Sequence, residues 1–348
     1  MSQISIEGFN IGEGKTYIIG ELSANHNGSL ENAIKTIKAL KEAGADAVKI
    51  QTYTPDTITI DCDNEYFQIK QGTIWDGMNL YKLYQQAYTP WEWHRDLFNY
   101  AKKIGITIFS SPFDKTAVDL LESLGTPAYK VASFEITDIP LIKYIAEKGK
   151  PIIISTGIAT IGEIQEAIDA CREVGNNDIA LLKCTSSYPA PFDEMNLLTI
   201  PNMRETFGVT VGLSDHSMGS TVAIAAVALG AKIIEKHVIL DRKIGGPDSS
   251  FSMEIEEFQE MVQEIRKLEK ALGNITYSLS EKSINNKTFS RSLFFVEDIK
   301  KGEVITSKNM KSIRPNYGLH PRYYDEVIGK IALENIKKGT PVKWNLVK

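Results

Sequence analysis

Eight short apolar runs, most preceded by a glycine and followed by a stretch of helical periodicity, constrain this chain more than any other feature. They are Tyr17–Leu22, Ala45–Gln51, Ile106–Ser110, Ala128–Ala132, Pro151–Ser155, Ile179–Cys184, Val209–Leu213 and Ala231–Val238. Their apolar content is nearly continuous rather than alternating, as expected for parallel strands covered on both faces. Gly44, Gly105, Gly125, Gly149, Gly175, Gly208 and Gly230 lie shortly before a run. A helix that ends in a left-handed residue prefers glycine there, because a side chain would clash. Ser29, Asp138 and Thr160 supply matching helix starts.

Eight strand-then-helix units in about 260 residues fit a closed (β/α)8 TIM barrel. An open doubly wound sheet is the alternative. The count of eight and the lack of Gly-x-Gly-x-x-Gly after the first run favour the barrel. One connection, Tyr53–Thr89, is longer than the rest and holds Trp75, Tyr81, Tyr84 and Tyr88. Its length predicts a lid or binding loop, or an oligomer contact. The pattern stops near Leu279, and Glu281–Lys287 is polar and linker-like. Beyond it, Arg291-Ser-Leu-Phe-Phe-Val and two Lys-Lys-Gly turns at 300–302 and 337–339 predict a small β-rich domain. The expected division is a barrel over 1–280, a linker over 281–288 and the small domain over 289–348.

Charge and cysteine usage remove several function classes. The 39 basic and 44 acidic residues leave a formal net charge of -5, which argues against a general nucleic-acid or anionic-membrane binder. No apolar run approaches the ~20 residues needed to cross a bilayer. The N-terminal residues lack the charged-then-apolar pattern of an export signal. Three scattered cysteines, Cys62, Cys171 and Cys184, cannot form a disulfide framework and fit a reducing cytoplasm. Neither Cys-x-x-Cys nor His-Glu-x-x-His is present, so no structural zinc site is expected.

In a (β/α)8 barrel the active site gathers at the carboxyl ends of the strands. Here those ends carry Glu21 and Ser23; Lys49 and Gln51; Ser110 and Ser111; Lys130, Ser133 and Glu135; Ser155 and Thr156; Thr185, Ser186 and Tyr188; Ser214, Asp215 and His216; and Glu235 and His237. Lys49 and Lys130 sit inside apolar strands, where a lysine is costly to bury without an anionic partner. With neighbouring hydroxyls they form a cradle for phosphate or carboxylate. A structural ion pair and a Schiff-base lysine are the competing readings. His216 and His237 end neighbouring strands and can approach one point, a donor set suited to Mn²⁺ or another first-row divalent ion. A general base or a satisfied core histidine is the alternative. His26 is expected to line the pocket and His94 to be structural. The residues alone predict a barrel enzyme acting on an anionic, phosphorylated small molecule.

Gly20-Glu-Leu-Ser-Ala-Asn-His-Asn-Gly, Val48-Lys-Ile-Gln-Thr, Ser110-Ser-Pro-Phe, Tyr129-Lys-Val-Ala-Ser, Ser155-Thr-Gly, Gly212-Leu-Ser-Asp-His and Glu235-Lys-His resemble, in order, the motifs of the sialic acid synthase family. Asp298-Ile-Lys-Lys-Gly-Glu and Ser312-Ile-Arg-Pro resemble its antifreeze-like (SAF) domain. Within the family the chain is most similar to the branch that forms pseudaminic acid. The stretches that carry this include Ile50-Gln-Thr-Tyr-Thr-Pro-Asp, Ala132-Ser-Phe-Glu, Asp248-Ser-Ser-Phe-Ser and Gly318-Leu-His-Pro. Neuraminic acid synthases usually carry Ser-Gly-Glu in place of Ser133-Phe134-Glu135, and Asn in place of Ser186.

The resemblance implies condensation of phosphoenolpyruvate with an acetamido-deoxy sugar, 2,4-diacetamido-2,4,6-trideoxy-L-altrose, with release of phosphate. N-acetylneuraminic or legionaminic acid synthesis by the same mechanism is the alternative, and a Schiff-base aldolase is a further one. It implies His216 and His237 as ligands of a divalent cation, Mn²⁺ or else Mg²⁺ or Co²⁺. Lys49, Ser111, Lys130, Ser133, Ser155, Ser186 and Ser214 correspond to positions around phosphoenolpyruvate. Glu21, Glu135 and Asp248 correspond to sugar-side or acid–base positions, and Tyr188 to the pocket wall. Phe134 and Phe251 are candidates for apolar contact with a 6-deoxy sugar. Arg314 matches an arginine that reaches into a partner subunit's barrel, which implies a domain-swapped homodimer.

Overall fold

The computed structural model describes residues 4–12, 14–70 and 72–348. One compact unit ends at Gly273 and a second runs over Asn274–Lys348. In chain order the strands of the first unit are β1 (Ile4–Ile6), β2 (Phe9–Ile11), β3 (Tyr17–Glu21), β4 (Ala47–Thr52), β5 (Thr107–Pro112) and β6 (Tyr129–Val131). They continue with β7 (Ile152–Ser155), β8 (Ile179–Cys184), β9 (Thr210–Asp215), β10 (Ile233–Ile239) and β11 (Met253–Glu254). β3 to β10 pair in parallel, each with the next, and β10 pairs again with β3, so the sheet closes into an eight-stranded barrel.

The two-residue period of a strand sorts the side chains into an inner and an outer set. Tyr17, Ile19, Ala47, Phe109, Ala128, Ile153, Ala180, Leu182 and Ile233 make one apolar cluster inside the barrel. The hairpin β1–β2 plugs its amino-terminal end with Ile4, Ile6 and Ile11. Ile18, Val48, Ile108, Tyr129, Ile152, Leu181, Leu213 and Ile234 face outward and pack under the helices. Continuing each inner column by two residues brings in Glu21, Lys49, Ser111, Lys130, Ser155, Cys184, Ser214, Glu235 and then His237. The polar strand ends are thus the upper layers of columns whose lower layers are apolar.

The helices begin where the local chemistry allows. Ser29 Oγ accepts from Asn32 N, Asp138 from Leu141 N, and Thr160 forms a reciprocal capping box with Glu163. Gly105 and Gly208 close their helices in the left-handed conformation, with φ of 72° and 66°. The connection over residues 53–89 is not a structureless loop. It contains helices Pro55–Ile58 and Leu80–Ala87 and a bridge between Gln68 and Asn79. The second helix carries apolar residues at Leu80, Leu83, Tyr84 and Ala87, and Asn79 Oδ1 caps it by accepting from the Tyr81 and Lys82 N–H groups.

In the second unit β12 (Ser292–Phe295) pairs antiparallel with β13 (Met310–Ile313), and further pairing is by isolated bridges such as Ile299 with Ile336. Leu293, Phe295, Ile305, Met310, Val327 and Val342 form its core. The polar stretch before it includes a short exposed helix, Glu281–Asn286. Among the described residues no helix is long and apolar enough to cross a membrane.

Candidate active site

The inner polar layer is an ion network centred on Lys49. Its Nζ lies 3.0 Å from Glu21 Oε2 and 2.9 Å from Glu235 Oε1, and all three side chains are buried. Glu235 Oε1 also accepts from Ser214 Oγ at 3.0 Å and lies 4.0 Å from Lys130 Nζ. Burial opposes the charge on Glu235, but Lys130 and Lys49 outweigh it and hold that carboxyl well below its usual range. Burial is also the largest influence on Glu21; Lys49 opposes it only in part, Glu235 reinforces it, and Glu21 is pushed up to about 7. Burial draws Lys130 down to about 8 against the pull of Glu235, whereas Lys49 is raised because its two carboxylates outweigh burial. Lys49 is thus compensated by two carboxylates within 3.0 Å, whereas Lys130 has one at 4.0 Å.

Beside this network the hydroxyls converge. Lys130 Nζ donates to Ser155 Oγ at 2.6 Å, and Gly157 N–H donates to Ser133 Oγ at 3.2 Å. A side chain at Gly157 would collide with Ser186 Oγ and would come within 2.8 Å of Ser133 Oγ and 3.1 Å of Cys184 Sγ. Ser111 Oγ is buried with no hydrogen-bond partner. A glycine that lets three side chains meet gives this end of the barrel a donor-rich character.

The histidines close the other side. Their rings lie 5.2 Å apart, and Tyr188 stacks on His216 at 4.3 Å between ring centres. His216 Nδ1 donates to Thr185 O at 3.0 Å, which in the neutral ring leaves Nε2 without a proton. His237 Nδ1 is buried without a hydrogen-bond partner, 3.8 Å from Asp248 Oδ2. Burial, with the neighbouring cations, keeps the His237 ring neutral by lowering it well below the ordinary histidine range. Burial opposes charge on His216, but Cys184, 3.8 Å from its Nδ1, outweighs it and raises that ring, so His237 is the neutral member of the pair. A divalent ion on the two rings would take the place of the His216 proton. Among the described residues no third Cys, His, Asp or Glu completes a ready-made cage, so water and substrate would supply the remaining ligands, as in open catalytic sites.

A hydrogen-bond chain joins the two sides. Gln51 Nε2 donates to Glu21 Oε1 at 3.0 Å and to Ser23 Oγ at 2.9 Å, and Ser23 Oγ donates to Asp248 Oδ2 at 2.5 Å. Phe251 is buried 5.1 Å from the His237 ring, while Phe134 is 59% exposed. His26 does not join the cluster: its Nδ1 accepts from Gly28 N–H and its ring packs edge-on against Trp93. His94 is structural, bonded to Thr52 Oγ1 and Pro90 O. Arg314 lies exposed just beyond β13 in the second unit. Sequence reasoning named Glu235, Gln51 and Ser23 only as rim polarity. Glu235 was readable as a site residue, because it precedes His237 by two and so shares its inward column. Lys236, between them, points outward and pairs with Asp215 at 2.7 Å, bracing the turn that carries His216.

Glu135 stands in the turn Ser133–Glu135 with one carboxyl oxygen buried and unpartnered. Burial raises it to about 7 against the pull of Lys130, with Asp138 adding a small push and Tyr84 also within its field. The unfolded chain ionises near 4.5 while the folded chain keeps the proton to about 7. Stability from the protonated form is complete below the lower value and is lost as pH rises through the upper one. Glu135→Gln is therefore expected to flatten stability across this window and to stabilise the protein above it by on the order of 2–3 kcal/mol. Urea titrations on either side of the window test this; an equal parent–variant difference on both sides would contradict it.

The NeuB family model matches residues 36–277, and the SAF domain model matches residues 290–348. The chain is 50% identical over 329 residues to the pseudaminic acid synthase of Campylobacter jejuni, covering 94% of this chain and 96% of that protein. It is 39% identical over 333 residues to the N,N'-diacetyllegionaminic acid synthase of the same organism, covering 94% of this chain and 99% of that one. The crystal structure of N-acetylneuraminic acid synthetase from Leptospira borgpetersenii, solved with citrate, superposes with a TM-score of 0.73 at 29% identity, over 82% of this chain and 95% of that chain. A closed barrel with its charged layer at the carboxyl ends, followed by a SAF domain and joined to these matches, means that the chain belongs to the NeuB family, the sialic acid synthases whose motifs it carries.

Proposed function

We propose that this chain condenses phosphoenolpyruvate with 2,4-diacetamido-2,4,6-trideoxy-L-altrose to give pseudaminic acid and inorganic phosphate. The observation that carries the reading is the meeting of the Lys49–Lys130 layer and the His216–His237 pair over one barrel mouth. The 50% identity to a pseudaminic acid synthase, against 39% to a legionaminic acid synthase, supports the choice of sugar.

In this reading Lys130, Ser111, Ser133, Ser155, Ser186, Ser214 and the Gly157 N–H hold the anionic groups of phosphoenolpyruvate, with Lys49 beneath them. The enol carbon of phosphoenolpyruvate forms a bond to the sugar aldehyde carbon, and the aldehyde oxygen takes up a proton. Water adds to the electron-poor carbon that carried the phosphate, losing a proton to a carboxylate. Collapse of the adduct breaks the carbon–oxygen bond to phosphate and leaves the keto acid. The lysine and hydroxyl donors match the charge of the departing phosphate. Glu21 and Glu135, both poised near neutrality by burial, are the groups able to move protons at these atoms. A divalent ion held by His216 and His237, Mn²⁺ or else Mg²⁺ or Co²⁺, would supply Lewis acidity to the aldehyde. Tyr188, Asp248 and Phe251 would line the sugar side.

Phosphate release with each candidate sugar, using metal-stripped and metal-restored protein, tests the assignment. Preference for N-acetylmannosamine would overturn the choice of sugar. The Schiff-base alternative draws on the lowered Lys130, yet its Nζ already donates to Ser155 Oγ and Val131 O. Borohydride trapping with substrate, without metal dependence, would favour that alternative.

The homodimer belongs to the same proposal. Residues 274–348 carry 14 basic and seven acidic side chains, whereas residues 1–273 carry 25 and 37. Opposite charges favour pairing of the small domain of one copy with the barrel of another, Arg314 completing the partner's site. Phe192 and Leu198, 62% and 76% exposed after β8, offer apolar surface for such a contact. Light scattering is expected to give twice the 38.8 kDa chain mass, with dissociation promoted by salt. A monomer at every concentration would refute it.

A further inference from the structure

The connection over residues 53–89 and the turn after β10 meet at Trp75. Its indole Nε1–H donates to Pro247 O at 3.0 Å. Its ring centre lies 5.5 Å from Tyr188, which in turn stacks on His216 at 4.3 Å. Trp75 thus ends an aromatic stack that starts at the histidine pair. It also walls an open cavity of about 820 Å³, shared with Met78, Leu83, Gln85, Gln86 and Asn27. That volume lies within the range of small-ligand sites. None of the described residues lining it is charged. Carboxamides over an apolar floor complement an uncharged amide and its methyl group far better than a phosphate or carboxylate.

Resting on the synthase reading above, we infer that Trp75 and this cavity receive the distal acetamido group of the acceptor sugar and set which sugar is used. Three bonds of an extended chain span about 3.8 Å, so an acetamido group on the fourth carbon reaches roughly 4–8 Å beyond the aldehyde carbon. With the aldehyde at the histidine pair, the far end of that reach plus a van der Waals contact of roughly 3.5–4 Å covers the steps of 4.3 and 5.5 Å that lead alongside Tyr188 to Trp75. The indole contributes an apolar face for the acetamido methyl, and Gln85, Gln86 and Asn27 offer donors and acceptors for its amide. A sugar with a hydroxyl at the same carbon satisfies neither. Trp75 is held from two sides, by Pro247 O and by Tyr188, so it presents a fixed wall. A fixed wall discriminates because the wrong substituent forfeits the apolar contact with the indole that the acetamido methyl makes.

The test uses the full-length protein and measures phosphate release from phosphoenolpyruvate with two sugars. One is 2,4-diacetamido-2,4,6-trideoxy-L-altrose, and the other is its analogue with a hydroxyl in place of the 4-acetamido group. Trp75→Ala is expected to raise KM for the diacetamido sugar about tenfold and to erase most of the preference over the analogue. KM for phosphoenolpyruvate should stay within about twofold of the parent value, since Pro247 and Tyr188, which hold Trp75, are not among the residues assigned to the anion. Gln85→Ala combined with Gln86→Ala removes only exposed side chains, and should shift sugar preference in the same direction by a smaller factor. Unchanged sugar preference in both variants would overturn the inference. So would an equal loss of affinity for phosphoenolpyruvate, which marks a merely structural role. If the parent released phosphate with neither sugar, the synthase reading would fail and take the inference with it; phosphate release with unaltered preference in the variants would overturn the inference alone.

Discussion

Replacing Lys49 by methionine is expected to abolish turnover and to lower folding stability by about 3–5 kcal/mol, because the change removes the cation between two buried carboxylates. Methionine has a similar length and no charge, so the loss is electrostatic rather than a cavity. Glu21 Oε2 at 3.0 Å and Glu235 Oε1 at 2.9 Å both depend on that ammonium, and Lys130 stands farther off at 4.0 Å from Glu235. One of the carboxyls must then take up a proton, which makes the deficit grow as pH rises. Adding Glu21→Gln should restore much of the stability without restoring activity, since it removes a buried charge but returns no phosphate-side cation. Urea unfolding and single-turnover phosphate release separate the two effects. A stability change under about 1 kcal/mol in Lys49→Met would mean that the network is not held together by that charge.

His216→Ala is expected to reduce kcat by about 10³-fold, equivalent to about 4 kcal/mol of transition-state stabilisation, and to remove the bound divalent ion. The geometry behind this is specific. Thr185 O accepts from Nδ1 and so leaves Nε2 as the ligating atom, and the His237 ring lies 5.2 Å away with its own Nδ1 buried and without a hydrogen-bond partner. Elemental analysis of metal per chain, together with turnover at several metal concentrations, provides the check. Thermal unfolding guards against a trivial explanation, because His216 also carries the Tyr188 ring. Full turnover with an unchanged metal requirement would remove these histidines from the chemistry. His237→Ala should behave in the same way.

The barrel was legible because its signals are local. Apolar runs, Ser29, Asp138 and Thr160 as caps, and glycine stops such as Gly105 act within a few residues of chain, so composition and spacing alone expose them. The motifs around Lys49, Lys130, His216 and His237 were likewise readable, since each is a short word at a strand end. Which partners those groups would meet was another matter. Lys49 and Glu235 are 186 residues apart, and only closure of β10 onto β3 brings them within 2.9 Å.

Three of the four lysines on barrel strands show the division most clearly. Lys49, Lys130 and Lys236 all lie on buried strands, and only the first two stand between apolar neighbours in the sequence. The structure turns the first two into the barrel mouth and the third outward onto Asp215, because the two-residue period makes neighbours on one strand face opposite sides. The same applies to His26, whose ring the folded chain packs edge-on against Trp93, and to Trp75, whose role arises only where two distant connections touch. Sequence by itself determined the elements and the inventory of reactive groups, since both depend on short-range sterics and residue chemistry. Tertiary structure decided direction and partnership, because register and closure are collective properties that no local stretch of chain contains.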